Sequence, residues 1–136
     1  MKPSIRLHHG GISVKDMEQS ITFYRDVFGF DVDTQLDVSD DFSITHMKLG
    51  DSYIELFWHR NYRELPAHAQ SLDTDLPVIG TKHIAFETDD LEGMYKWLVS
   101  QGVEMVGDIR SDNPGYTYFF FKDINGILLE FVQPKT

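Results

Sequence analysis

One pattern occurs twice along this chain. Residues 8–29, HHGGISVKDMEQSITFYRDVFG, and residues 82–102, KHIAFETDDLEGMYKWLVSQG, run in the same order: a histidine, a β-like run, an acidic residue, then a helical pattern that closes on glycine. His9 and His83 are 74 positions apart, as are Asp16 and Asp90, while Glu55 and Glu130 are 75 apart. One extra residue in a turn covers the difference. A repeat at fixed offset restricts the fold to two similar modules, since the same local pattern has to reach the same local structure twice.

Period and punctuation give each module its elements. Asp16 reads as an N-cap with Gln19 as its capping-box partner, after which Met17, Ile21, Tyr24 and Phe28 recur at helical spacing up to Gly29. In the second module Asp89 or Asp90 caps a helix carrying Leu91, Met94, Tyr95 and Leu98 that ends at Gly102. An extended run precedes each helix (5–14 and 82–88), and three strands follow it, near 30–37, 42–49 and 52–58, then 104–110, 116–122 and 127–133. LGDS and DING are the turns. The order is βαβββ twice, an α+β class in which two tandem modules form a curved mixed sheet. Residues 59–80 contain two prolines and no clean periodicity, so they read as a linker or mobile flap. The expected organisation is one domain, 1–136, made of module 1 (1–58), the linker (59–80) and module 2 (81–136). The aromatic run YTYFFF at 116–121 reads as a strand covered on both faces.

Two strands hold a carboxylate in apolar company: YIELF at 53–57 and LLEFV at 128–132. An ionised carboxylate left buried and unpaired costs several kcal/mol or more, so each is expected to have a partner. Pseudo-twofold packing of equivalent modules would bring His9, Glu55, His83 and Glu130 toward one concave face. Two imidazole nitrogens and two carboxylate oxygens suit Zn²⁺, Ni²⁺, Co²⁺, Mn²⁺ or Fe²⁺, and the metal's charge would compensate both acids. His8, His46, His59 and His68 have no counterpart in the repeat and are read as structural or solvent-facing. The net charge of −10, from 22 acids against 12 bases, argues against nucleic acid or an anionic membrane as partner and leaves small molecules or proteins. No cysteine is present, the N-terminus lacks the apolar core of a signal peptide, and no apolar run approaches the ~20 residues of a spanning helix. The expected location is the cytoplasm.

With HHGGISVKDMEQSITFYRDVFGF, YIELF, KHIAFETDDLEGMYKWL and FKDINGILLEF in place, the whole chain resembles the vicinal oxygen chelate superfamily, also called the glyoxalase/bleomycin-resistance/dioxygenase fold. In that family the first ligand lies seven residues before the aspartate that opens the helix, which selects His9 over His8. The resemblance implies a metal that chelates two adjacent substrate oxygens, and a metal-bound glutamate that takes a proton from a carbon beside a carbonyl while the metal holds the enediolate. By ligand set the nearest relative is glyoxalase I, a lyase acting on the hemithioacetal of an α-oxoaldehyde and a thiol. Its His, Glu, His, Glu set is matched by His9, Glu55, His83 and Glu130. Zn²⁺ or Ni²⁺ is the first expectation for the metal. Of the two candidate catalytic acids, Glu55 and Glu130, the resemblance favours Glu130 as base.

The departures narrow the substrate. Where bacterial glyoxalase I enzymes carry an arginine and an asparagine that hold glutathione, this chain has Ser13 and His59. Methylmalonyl-CoA epimerase resembles the chain too, with glutamine at the position of Glu55. Extradiol dioxygenases and fosfomycin-modifying enzymes generally use three ligands, and drug-sequestering members of the fold usually lack the tetrad; a drug- or metabolite-sequestering protein of the same fold, an acyl-CoA epimerase and an extradiol-type dioxygenase are the alternative readings that the resemblance implies. Family members commonly form symmetric dimers, which implies a homodimer with two equivalent metal sites and a small-molecule substrate.

Overall fold

The computed structural model describes residues 1–136 and divides into two compact units, Met1–Arg63 and Glu64–Thr136. In the first unit β1 (His9–Val14) leads into α1 (Met17–Phe28), followed by β2 (Asp31–Ser39), β3 (Phe42–Leu49) and β4 (Ser52–His59). The strands lie in the order β1-β4-β3-β2, with β1 parallel to β4 and the other pairs antiparallel. The second unit repeats this with β5 (Ile84–Glu87), α3 (Leu91–Ser100), β6 (Glu104–Arg110), β7 (Tyr116–Lys122) and β8 (Leu128–Pro134), in the order β5-β8-β7-β6. The βαβββ order is present twice, and each unit owns a four-stranded mixed sheet.

Both helices start and stop where their caps dictate. The Asp16 side chain accepts from the Gln19 amide at 2.9 Å, and α1 ends at Gly29, whose φ of 85° is left-handed backbone that a glycine adopts without a Cβ penalty. Asp90 caps α3 in the same way, accepting from the Gly93 amide at 2.9 Å.

Strand alternation then assigns the faces. In the first sheet Ile12, Val14, Met47, Ile54 and Leu56 are buried, with Ile21 and Tyr24 of α1. These strand residues share one face. The opposite face presents His9, Gly11 and Ser13 from β1, Tyr53, Glu55 and Phe57 from β4, and Ile44 and His46 from β3, none of them fully buried. In the second sheet Phe119, Phe121, Leu129 and Phe131 are buried on one face, with the Tyr95 ring of α3 edge-on to Phe119 at 5.1 Å. Phe120 and Glu130 occupy the other face and are buried as well, so the YTYFFF run is covered on both sides at its phenylalanines.

One expectation is corrected. The first strand begins at His9 rather than residue 5, because its partner β4 begins at Ser52 and His9 pairs with Tyr53, so residues 5–8 have no strand to pair with. Residues 59–80, read as a linker or mobile flap, carry short elements of their own. They contain a 3₁₀ turn (Ala67–Gln70) and a short helix α2 (Leu72–Asp75), tied down by Thr74 Oγ1 donating to the His68 carbonyl, His68 Nδ1 3.2 Å from Asp75, and Lys82 Nζ donating to the Asp75 carbonyl at 2.7 Å. Four-residue helices are too short to show a 3.6-residue period in sequence. No helix is long and apolar enough to cross a membrane.

Candidate metal centre

Register puts the four candidate ligands in equivalent places. Gly11 pairs with Glu55 across the parallel β1–β4 ladder, and Ala85 pairs with Glu130 across β5–β8. His9 and His83 each stand two residues before those partners, hence on the same face as the glutamate. The distances agree: His9 Nε2 is 3.7 Å from Glu55 Oε2, and His83 Nε2 is 3.5 Å from Glu130 Oε1. One histidine and one glutamate thus meet in each unit. No group of three or more His, Cys, Asp or Glu side chains in the chain is arranged to hold a metal ion.

The spacing within each pair suits a divalent cation better than a direct hydrogen bond. A direct hydrogen bond would bring nitrogen and oxygen to roughly 2.7–3.2 Å. Two donors on one ion, each at about 2.1 Å and separated by a tetrahedral angle, stand about 3.4 Å apart, and both pairs lie near that spacing. His83 Nδ1 is buried without a hydrogen-bond partner, an unsatisfied polar atom on the ring that faces Glu130. Glu130 itself has a side chain only 9% exposed. Burial pushes its carboxyl above the ordinary carboxylate range, with the neighbouring His83 acting the other way. A partly buried imidazole and a desolvated carboxylate turned toward one another fit a cation between them.

The surroundings of the two pairs differ. In the first unit His46 Nε2 donates to Glu55 Oε2, and the His46 ring lies 6.0 Å from that of His9. His8 flanks the pair, with its ring stacked on Tyr53 at 4.6 Å and its Nδ1 2.9 Å from His9 Nδ1. A groove lined by Arg6, Leu7, His8, Asp51 and Tyr53 runs beside it. In the second unit the place of His46 is taken by Phe120, whose ring sits edge-on to His83 at 5.2 Å. His59 is engaged in a turn, accepting from the Asn61 amide at 3.0 Å.

His46, expected to be structural or solvent-facing, lies on the same sheet face as the His9–Glu55 pair and hydrogen-bonds Glu55. The signal for its position was present in the sequence. The Gly50–Asp51 turn sets Leu49 opposite Ser52, and counting three residues back on β3 and three forward on β4 sets His46 opposite Glu55.

Comparison with known proteins agrees with this architecture. An uncharacterized protein of Bacillus subtilis (strain 168), YwbC, is 30% identical over 134 residues, covering 94% of this chain and 97% of that protein. Mitochondrial methylmalonyl-CoA epimerase of Mus musculus is 24% identical over 141 residues, covering 94% of this chain and 72% of the epimerase. Among solved structures, a glyoxalase family protein from Enterococcus faecalis superposes with a TM-score of 0.77 at 26% identity, covering 93% of this chain and 96% of that one. The sequence profile of the Glyoxalase/Bleomycin resistance protein/Dioxygenase superfamily matches residues 6–131, a span that includes both histidine–glutamate pairs, and the chain belongs to that superfamily.

Proposed function

We propose that this protein is a divalent-metal-dependent lyase or isomerase of glyoxalase I type, acting on an α-oxoaldehyde–thiol adduct or a related α-hydroxycarbonyl compound. The observation that carries the reading is the pair of register-equivalent His–Glu contacts, His9 with Glu55 and His83 with Glu130, at 3.7 and 3.5 Å. All four would hold the ion, Zn²⁺ or Ni²⁺ first and Co²⁺, Mn²⁺ or Fe²⁺ next. Bound there, a divalent ion supplies Lewis acidity where negative charge develops on adjacent substrate oxygens.

The chain's own groups do the remaining work. Glu130 is read as the base: it is the more buried of the two carboxylates and has a phenyl ring rather than a second imidazole paired opposite it. Glu130 takes the proton from the carbon beside the carbonyl and returns it to the neighbouring carbon, so the reaction needs no oxidant or reductant. Glu55 has His46 and His9 against it and acts as the anchored carboxylate. Ser13 and His59, where a glutathione anchor would be expected, favour a different thiol. The protein acts as a homodimer on a small-molecule substrate.

The expected outcome is about one divalent ion per chain, removal of activity by a chelator, and loss of turnover in Glu130→Gln with the fold retained by circular dichroism. Metal-loaded protein inert toward a panel of thiol hemithioacetals and acyl-CoA epimers would overturn the reading. A second reading, an acyl-CoA epimerase, is favoured by the likeness to the mouse epimerase and uses the same proton transfer; the acyl-CoA arm of the panel separates the two.

A further inference from the structure

The two halves of the candidate centre are not chemically equal. In the first sheet Glu55 has an imidazole beside it on each neighbouring strand: His9 on β1, and on β3 His46, paired directly opposite. In the second sheet Glu130 has His83 on one side and, paired directly opposite, the phenyl ring of Phe120. A carboxylate is acceptor-only when ionised, so the imidazole that meets it carries the proton on the touching nitrogen. His46 Nε2 donates to Glu55 Oε2, while Oε2 also faces His9. The two side chains are partly sheltered, at 37% exposed for His46 and 16% for Glu55, so the contact is screened less than a surface pair.

We infer that His46 is a positioning residue for Glu55, fixing the orientation of one metal-binding carboxylate through a hydrogen bond that the other carboxylate lacks. This rests on the reading of His9, Glu55, His83 and Glu130 as the metal ligands. Groups that orient a ligating side chain typically change metal affinity by about 10–100-fold when removed, because the ligand must then be ordered by the metal itself. The ion would be held firmly from the first unit, and Glu130, which no second donor restrains, would be the carboxylate able to leave and return.

The test is calorimetric titration of Ni²⁺ into metal-free protein. His46→Phe copies what the second unit carries at Phe120, so a ring at that place is already compatible with this sheet architecture. It should weaken Ni²⁺ binding about 10–100-fold, without changing the circular dichroism or melting temperature of the metal-free protein. His46→Gln, which can again place an N–H on the carboxylate, should recover part of the loss and restore the wild-type visible spectrum of the Co²⁺-loaded protein. Binding by His46→Phe within twofold of wild type would overturn the inference, as would a loss that His46→Gln does not relieve. Should His46→Phe fail to fold, His46→Gln decides against His46→Leu by the same comparison. Wild-type protein that binds neither Ni²⁺ nor Co²⁺ would instead bring down the metal reading itself.

Discussion

Glu55 and Glu130 carry the same functional group in different company, and their difference has a measurable consequence. Glu130 is the more buried, faces Phe120, and has its pKa raised, chiefly by burial. A raised pKa means that the native state holds this proton at pH values where the unfolded chain has already released it. The native state then binds more protons than the unfolded state, and stability falls as pH rises. The contribution is fully present below the ordinary glutamate pKa of about 4.3 and is lost as pH rises through the folded value. Glu130→Gln removes the charge that burial disfavours. In metal-free protein this variant should melt above wild type at neutral pH, with the gap closing toward acid; melting curves at several pH values check this, and a gap independent of pH would refute it. At this scale the four ligand candidates were legible because the offsets of 74 and 75 marked them as pairs of equivalents. His46 escaped because the repeat has Phe120 in its place, so a search for matched histidines could not find it.

Among the elements, the helices and hairpins were the most readable part of the chain. Asp16, the apolar spacing and Gly29 delimit α1 as observed, and the Gly50–Asp51 turn fixes the β3–β4 hairpin. What sequence could not supply was the role of residues 59–80. Their order comes from side-chain contacts, such as Lys82 with Asp75 and Thr74 with His68, rather than from a period. The cap of α1 also bears on the site, because α1 leaves directly from β1, the strand that carries His9. Replacing an N-cap aspartate by alanine costs about 1 kcal/mol. Asp16→Ala should therefore lower the melting temperature by roughly 4 °C for a domain of this size. Thermal denaturation checks it, with Asp33→Ala, an exposed strand position, as the control expected to change little.

At the scale of the whole molecule the important fact is that each unit supplies one histidine–glutamate pair, half of the set that the proposed metal centre needs. The four-ligand centre proposed above would require the first unit of one chain with the second unit of the same chain or of a partner. The connection between units lies at Arg63–Glu64, flanked by backbone already committed on either side: the Arg60 amide donates to the Asp41 carbonyl, and the Leu65 carbonyl accepts from Gln70. Of residues 59–80, read as a linker or mobile flap, those from Glu64 onward group with the second unit. With the homodimer proposed above, the centre is expected to be shared, His9 and Glu55 of one chain completing His83 and Glu130 of the other. Mixing His9→Ala chains with Glu130→Gln chains tests this. In a shared arrangement the mixed dimer has one doubly damaged centre and one intact centre, so activity should return to about half that of wild type for the mixed species. In an unshared arrangement every centre carries one lesion and no activity returns. Subunit exchange followed independently, for instance by native mass spectrometry of differently labelled chains, makes an absence of recovery decisive against sharing, and a protein that stays monomeric at micromolar concentration would remove the dimer from which the expectation starts.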